Sequence, residues 1–347
     1  MTLLTPECLA VLHRPVLDET DLFTPDDFFG LPEIQALHER AQEHADVVLH
    51  ACAAELPTLH PNRAALLALL GGAIVEGGGD PRILFPAART VLGTWLHELA
   101  PYCARSTEDD DEASDDERRD WLAARRRLDA LDERRGREVD TMRDAVDTLV
   151  LSLMTMLMRD RDNHRRFVGD TPLQALLGRT ADNDSLPFDQ LHYLCAASAV
   201  SYEPELVVVL PASGTGFVAS ALGINNTFHA FTLLQQLIGE HARALRVGKT
   251  IAPRDGDALQ DHSDFHWLQA HAYANGERVN NLALAWGEAP LRTNLNRHGQ
   301  CVLIALETEH GIQRSWSGFN GICHPAQDPR VTLVRFLEPV EVAAYLA

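Results

Sequence analysis

The residue types that could do chemistry gather in the last third of the chain and in one Gly-rich stretch before it, residues 206–220, LVVVLPASGTGFVAS. An apolar run ends at Pro211, and Ser213, Gly214, Thr215 and Gly216 follow. A dinucleotide-binding loop needs G-x-G-x-x-G between a strand and a helix, and here the third glycine position is Ala219. A strained nucleophile turn needs G-x-S-x-G, and Pro211 and Thr215 occupy the two glycine positions around Ser213. Both patterns fail by residue. The stretch therefore predicts a hairpin turn with positive φ at Gly214 or Gly216. VGKT, residues 247–250, matches the end of a phosphate-binding loop, but the glycine required five residues earlier is Arg243.

Histidine supplies the next candidates. HERAQEH, 38–44, places its second histidine at i+6, about 240° round a helix, off the face of the first. HELAPYC, 97–103, has Pro101 where the second imidazole of a zinc motif would stand. DHSDFHWLQAH carries His262, His266 and His271. On a helix, His262 and His266 would share a face and could chelate a metal. On a strand they lie roughly 13 Å apart, beyond the reach of one ion. The Asn275–Gly276 pair downstream favours the strand. Cys323, His324 or His298 could complete a site with one of them, so His262, His266, Cys323 and His324 are the metal-ligand candidates, and no metal or other cofactor is expected. A hydrolytic site would draw on the same residues with Glu288 and His298: an imidazole as base, a thiol as nucleophile, a carboxylate to orient the base. The run WGEAPLRTNLNRHGQ, with Glu288, Arg292, Asn294, Asn296, Arg297 and His298, is the densest polar surface outside the acidic segment.

The elements that must position these groups divide the chain in two. Residues 1–200 read as all-helical. Pro32 opens a helix whose Ile34, Leu37, Ala41, Val48 and Cys52 recur at helical spacing. HPNRAALLALLGGAIVE is a second helix, stopped by Gly77, Gly78 and Gly79, and Asp80–Pro81 starts a third that Pro86 is predicted to break. Residues 106–120, STEDDDEASDDERRD, have almost no apolar side chains and predict a mobile acidic loop. Beyond it, Met142, Val146, Leu149, Leu153 and Leu157 mark the buried face of a long helix. Residues 201–347 change pattern, with short alternating segments around Gly and Asn-Gly turns and one helix from Thr227. The expected fold is α+β: a helical N-terminal region packed on a C-terminal domain with a mainly antiparallel sheet.

The 347 residues carry a formal net charge of −20, which repels phosphate backbones and anionic membranes and excludes nucleic acid and lipid as main partners. The longest apolar run, LVLSLMTMLM at 149–158, is short of the roughly 20 residues a bilayer needs, and the N-terminus lacks a signal-peptide pattern. Six scattered cysteines without a C-x-x-C pair predict reduced, buried thiols and a cytoplasmic location. Lys249 is the single lysine, an arginine bias that fits a GC-rich bacterial gene. These features predict a non-enzymatic intracellular protein-interaction or regulatory protein, an inhibitor or immunity-type partner of a basic protein. The alternative is a hydrolase-like enzyme, metal-dependent or not, with its site in the C-terminal domain.

Overall fold

The computed structural model describes residues 4–107, 113–224, 227–248, 262–265, 269–274, 277–280, 296–297, 299–306, 312–315 and 329–347. They form two compact units, Met1–Ser198 and Ala199–Ala347. The first is helical and the second carries a mixed sheet, an α+β protein. Among the described residues no helix is long and apolar enough to cross a membrane.

Among the described residues of the first unit ten α-helices follow one another. They are α1 (Pro6–Leu12), α2 (Pro25–Phe29), α3 (Pro32–Glu55), α4 (Pro61–Glu76), α5 (Pro81–Leu99), α6 (Asp115–Asp129), α7 (Glu133–Arg159), α8 (Arg161–Val168), α9 (Thr171–Ala181) and α10 (Leu191–Ser198). Their ends follow local chemistry. Proline at the first helical position opens α1 to α5, where its missing N–H has no partner to lose. Side chains of Asp80, Ser114, Asp132 and Asp160 accept hydrogen bonds from the exposed N–H groups of α5, α6, α7 and α8. Helix α4 is apolar almost all round and lies at the centre, packed chiefly on α7 and α3. Gly72 permits that approach: a Cβ there would stand 3.1 Å from Cα of Ser152 on α7.

Two expectations change here. Helix α5 runs unbroken through Pro86. Pro86 and Arg82, whose carbonyl loses its amide partner, are both exposed, so water can serve that group. Leu84, Phe85, Ala88, Val91 and Leu92 on the other face stay buried on either side of the proline. The acidic segment is not a loop to residue 120. A capping box, in which Ser114 and Glu117 exchange hydrogen bonds, starts α6 at Asp115, and the acidic residues there suit the positive end of the helix. Residues 108–112 lie outside the described set. The long α3 also departs from regular geometry at His44 (φ −138°, ψ 47°).

The second unit contains β1 (Ser201–Leu210), β2 (Thr215–Ile224), α11 (Thr227–Glu240), β3 (His262–Phe265), β4 (Gln269–Ala274), β5 (Glu277–Asn280), β6 (Asn296–Arg297), β7 (Gln300–Leu306), β8 (Ile312–Ser315), β9 (Arg330–Phe336) and α12 (Pro339–Leu346). The sheet order is β5-β4-β7-β1-β2-β9, with β6 also on β7, and β3 pairs separately with β8. It is a mixed sheet, not the mainly antiparallel one expected. Its central neighbours β1 and β7 run parallel, Leu206 beside Cys301 and Val209 beside Ile304. A strand's periodicity records which face is buried and carries nothing about the direction of a partner some ninety residues away.

The unbroken apolar run of β1 has its reason in burial on both faces. Leu206, Val208 and Leu210 join Phe217, Ala219 and the α11 residues Leu234 and Ile238 on one side. Val207, Val209, Val218, Val302 and Ile304 join Leu337 and Val342 of the C-terminal segment on the other.

Candidate functional site

The Ser213 stretch is the turn of the β1–β2 hairpin. Leu210 pairs with Thr215, and Gly214 supplies the positive φ, +61°. The hydroxyls are engaged structurally. Ser213 Oγ donates towards the Leu210 carbonyl at 3.3 Å and lies 2.6 Å from Thr215 Oγ1, which donates to the Leu245 carbonyl at 2.9 Å. This chain of hydroxyls ties the turn to the segment that follows α11 and leaves Ser213 in a structural role.

The other nominated residues fall where the structure gives no account of their side chains. His262 opens strand β3 and pairs with Ser315, and its side chain is outside the description; so are His266, Glu288, His298, Cys323 and His324 altogether. Asn296 and Arg297 form β6 against Cys301 and Gln300. Among the described residues no three His, Cys, Asp or Glu side chains come together as a metal site. The described cysteines carry no disulfide. Burial pushes the thiols of Cys8 to about 11 and of Cys52 and Cys103 to about 12, far above the range of a reactive thiolate.

Several buried polar groups serve as fasteners. His164 Nε2 donates to the Ala197 carbonyl at 2.8 Å, which sets its tautomer, and burial holds its pKa below the ordinary value. Asn163 Nδ2 reaches the carbonyls of Pro81 and Met156. Asp147 accepts from the backbone N–H groups of Asp189 and Gln190, both at 2.9 Å, while burial raises its pKa.

Two open clefts in the helical unit have the size of a small-molecule site. One, about 630 Å³, lies between α5 and α9, with the Arg89–Asp170 ion pair (3.1 Å), Thr94, His97 and Leu176 in its lining. The other, about 640 Å³, is formed by residues 16–22, by His60 and Pro61 at the start of α4, and by the first turns of α7. Its chemistry is the denser of the two. Arg134 and Arg135 share the carboxylate of Glu138, at 3.1 and 2.9 Å, and Arg137 pairs with Glu133 at 2.7 Å. The two guanidinium groups hold Glu138 below the usual carboxylate range. His60 Nδ1 is shut off from solvent and has no hydrogen-bond partner among the described residues. Burial first, and then the charge of Arg63, holds His60 below its ordinary pKa.

Residues 16–22 are strapped in place from beneath. Asn62 accepts from the Phe23 N–H and donates to its carbonyl, at 3.0 and 2.9 Å. The fully buried Arg63 donates to the Asp21 carbonyl and to Asn62 Oδ1, with its guanidinium carbon 3.4 Å from the Phe23 ring centre. Burial lowers the Arg63 pKa to about 10.

Sequence reading passed over this cleft. Its signals were the HPNR start of α4 and the ERRGRE run of α7, and the latter reads as the charged face of a solvated helix. Comparison with protein-family models, with curated proteins and with solved structures gives no match.

Proposed function

We propose that this chain is a non-enzymatic interaction protein of the bacterial cytoplasm that binds a basic protein partner, in the manner of an inhibitor or immunity protein. One observation carries the reading. Of the nine large apolar side chains exposed among the described residues, four fall on the last strand and helix: Val334 (55 % exposed), Phe336 (41 %), Val340 (74 %) and Leu346 (36 %). Among the described residues strand β9 is an edge of the sheet. Exposed apolar residues on such an element mark a contact surface.

The contact uses side chains and does not extend the sheet. Arg335 pairs with Val218 and Leu333 with Ala219, which leaves Val334 as an extra residue, a bulge that bends an edge away from strand addition. The partner's charge follows from the chain's own net charge of −20, which attracts a basic protein over distance and makes the association weaken with salt. The described cysteines are free thiols, and all but Cys195 are buried, which supports a cytoplasmic setting.

Affinity capture from the source cytoplasm at low and high salt, followed by calorimetry on the purified pair, tests this. The expected result is a stoichiometric basic partner whose binding falls with salt and drops about tenfold or more in a Val334→Glu/Val340→Glu double variant. Unchanged binding by that variant would remove β9 and α12 from the interface. An esterase or peptidase activity lost in His266→Ala or Cys323→Ala would replace the reading with a hydrolase.

A further inference from the structure

The cleft between residues 16–22 and the start of α7 belongs to the helical unit, not to the unit that carries β9 and α12, and its chemistry points to a small ligand. We propose that it binds a small organic oxyanion, a carboxylate or phosphate carried on an apolar body.

Several observations support this. The volume, about 640 Å³, is that of a small-molecule site. His60 lines the cleft, and its Nδ1, closed to solvent as the ring stands, has no partner among the described residues, so a turn of the half-buried ring towards a ligand oxygen would satisfy it. With Nδ1 carrying the proton, the neutral imidazole can donate to an oxygen of the ligand.

Two guanidinium groups, Arg134 and Arg135, share one carboxylate, which leaves a positive charge uncompensated within that trio. The pairs are solvent-exposed, with the Arg134 side chain 85 % and the Arg135 side chain 45 % accessible, so exchanging Glu138 for a ligand oxyanion loses little. The start of α4 at Pro61, which no side chain caps, adds the positive end of a helix. On the facing segment, Asp18 and Glu19 repel an anion and confine it to the arginine side. The carboxylate of Asp18 is itself occupied by the N–H and hydroxyl of Thr20, at 2.9 and 2.6 Å. Val16, Leu17, Leu22 and Met142 then remain for the apolar body.

Calorimetric titration of the full chain with hexanoate, hexyl phosphate and hexylammonium, each at low salt, tests the proposal. Saturable one-to-one binding of hexanoate or hexyl phosphate is expected, with none for hexylammonium. Arg134→Gln/Arg135→Gln should weaken it about tenfold, as for loss of charge-assisted hydrogen bonds. His60→Phe, which keeps the ring volume and removes Nδ1, should weaken it about threefold or more. Both variants alter side chains that line the cleft, and their circular dichroism should match the parent. Absence of binding by both anions, equal binding of hexylammonium, or unchanged affinity in the folded arginine variant would overturn the proposal. A partner lost on mutation of β9 and α12 leaves these outcomes untouched, so the two readings fail separately.

Discussion

In the helical unit α4 is enclosed by α3, just before it, and by α7, which starts at residue 133. In the sheet unit β1 lies between β2, its hairpin partner, and β7, which begins at residue 300. Each helix of the first unit satisfies its backbone within itself and turns an apolar stripe to its neighbours. Each strand of the second needs a partner for every hydrogen bond, and its most buried element reaches that partner across a long connection. The first core is thus assembled from faces already defined locally. The second exists only once non-local pairing has occurred.

The sharpest way to break this contrast is to damage each core where its own logic is strongest. In the helical unit, Leu149→Ala on α7 removes a fully buried side chain and should cost about 2–5 kcal/mol by chemical denaturation. In the sheet unit, Gly216→Val should cost about 3 kcal/mol or more, because even a Cβ would stand 2.7 Å from the Val208 carbonyl oxygen and 2.8 Å from Leu337 Cδ1. Hydrogen exchange read separately in α4 and α7 and in β1 and β2 assigns each loss. Equal stability of either variant and the parent would show that the affected core is looser than its packing implies.

A smaller effect separates backbone from side chain in the β1–β2 turn. Gly214→Ala meets nothing within 4 Å but holds a φ of +61°, so the expected cost is about 1–2 kcal/mol from conformation alone. Ser213→Ala loses only the hydroxyl chain to Leu210 and Thr215 and should cost under about 1 kcal/mol. A larger loss in Ser213→Ala than in Gly214→Ala would reverse the assignment of the turn.

The smallest effect concerns acid. Burial depresses the pKa of His164 below its ordinary 6.5, so the unfolded chain takes up the proton more readily than the folded one. The stability this confers is present above about pH 6.5 and is lost as pH falls towards the folded value. His60 is shifted the same way and adds to the trend. Denaturation at about pH 7.5 and pH 5 should show the parent losing stability on acidification. His164→Gln, which retains a donor for the Ala197 carbonyl, should lose less over the same span. Equal acid losses in the two proteins would remove His164 from the account.

By itself the sequence determined what is decided within a few residues. Pro32, Pro61 and Pro81 set helix starts, Gly77 and Gly78 ended α4, and Ile34, Leu37, Ala41, Val48 and Cys52 picked out the buried face of α3. The β1–β2 hairpin and its positive-φ glycine were legible for the same reason, since a turn is four residues long. Tertiary structure alone decided the rest. The parallel pairing of β1 with β7 and the meeting of His60 with Arg134 and Arg135 each join residues whose separation leaves no periodic signal, and the continuity of α5 through Pro86 rests on burial of the face opposite the proline. The capping box that starts α6 was written in the SDDE of residues 114–117, yet the surrounding acidity hid it, because solvated charge reads alike in a loop and on an exposed helix. Local geometry is encoded in neighbouring side chains. Which distant groups share a cleft or a sheet depends on how the cores close, and that free energy belongs to the assembled fold.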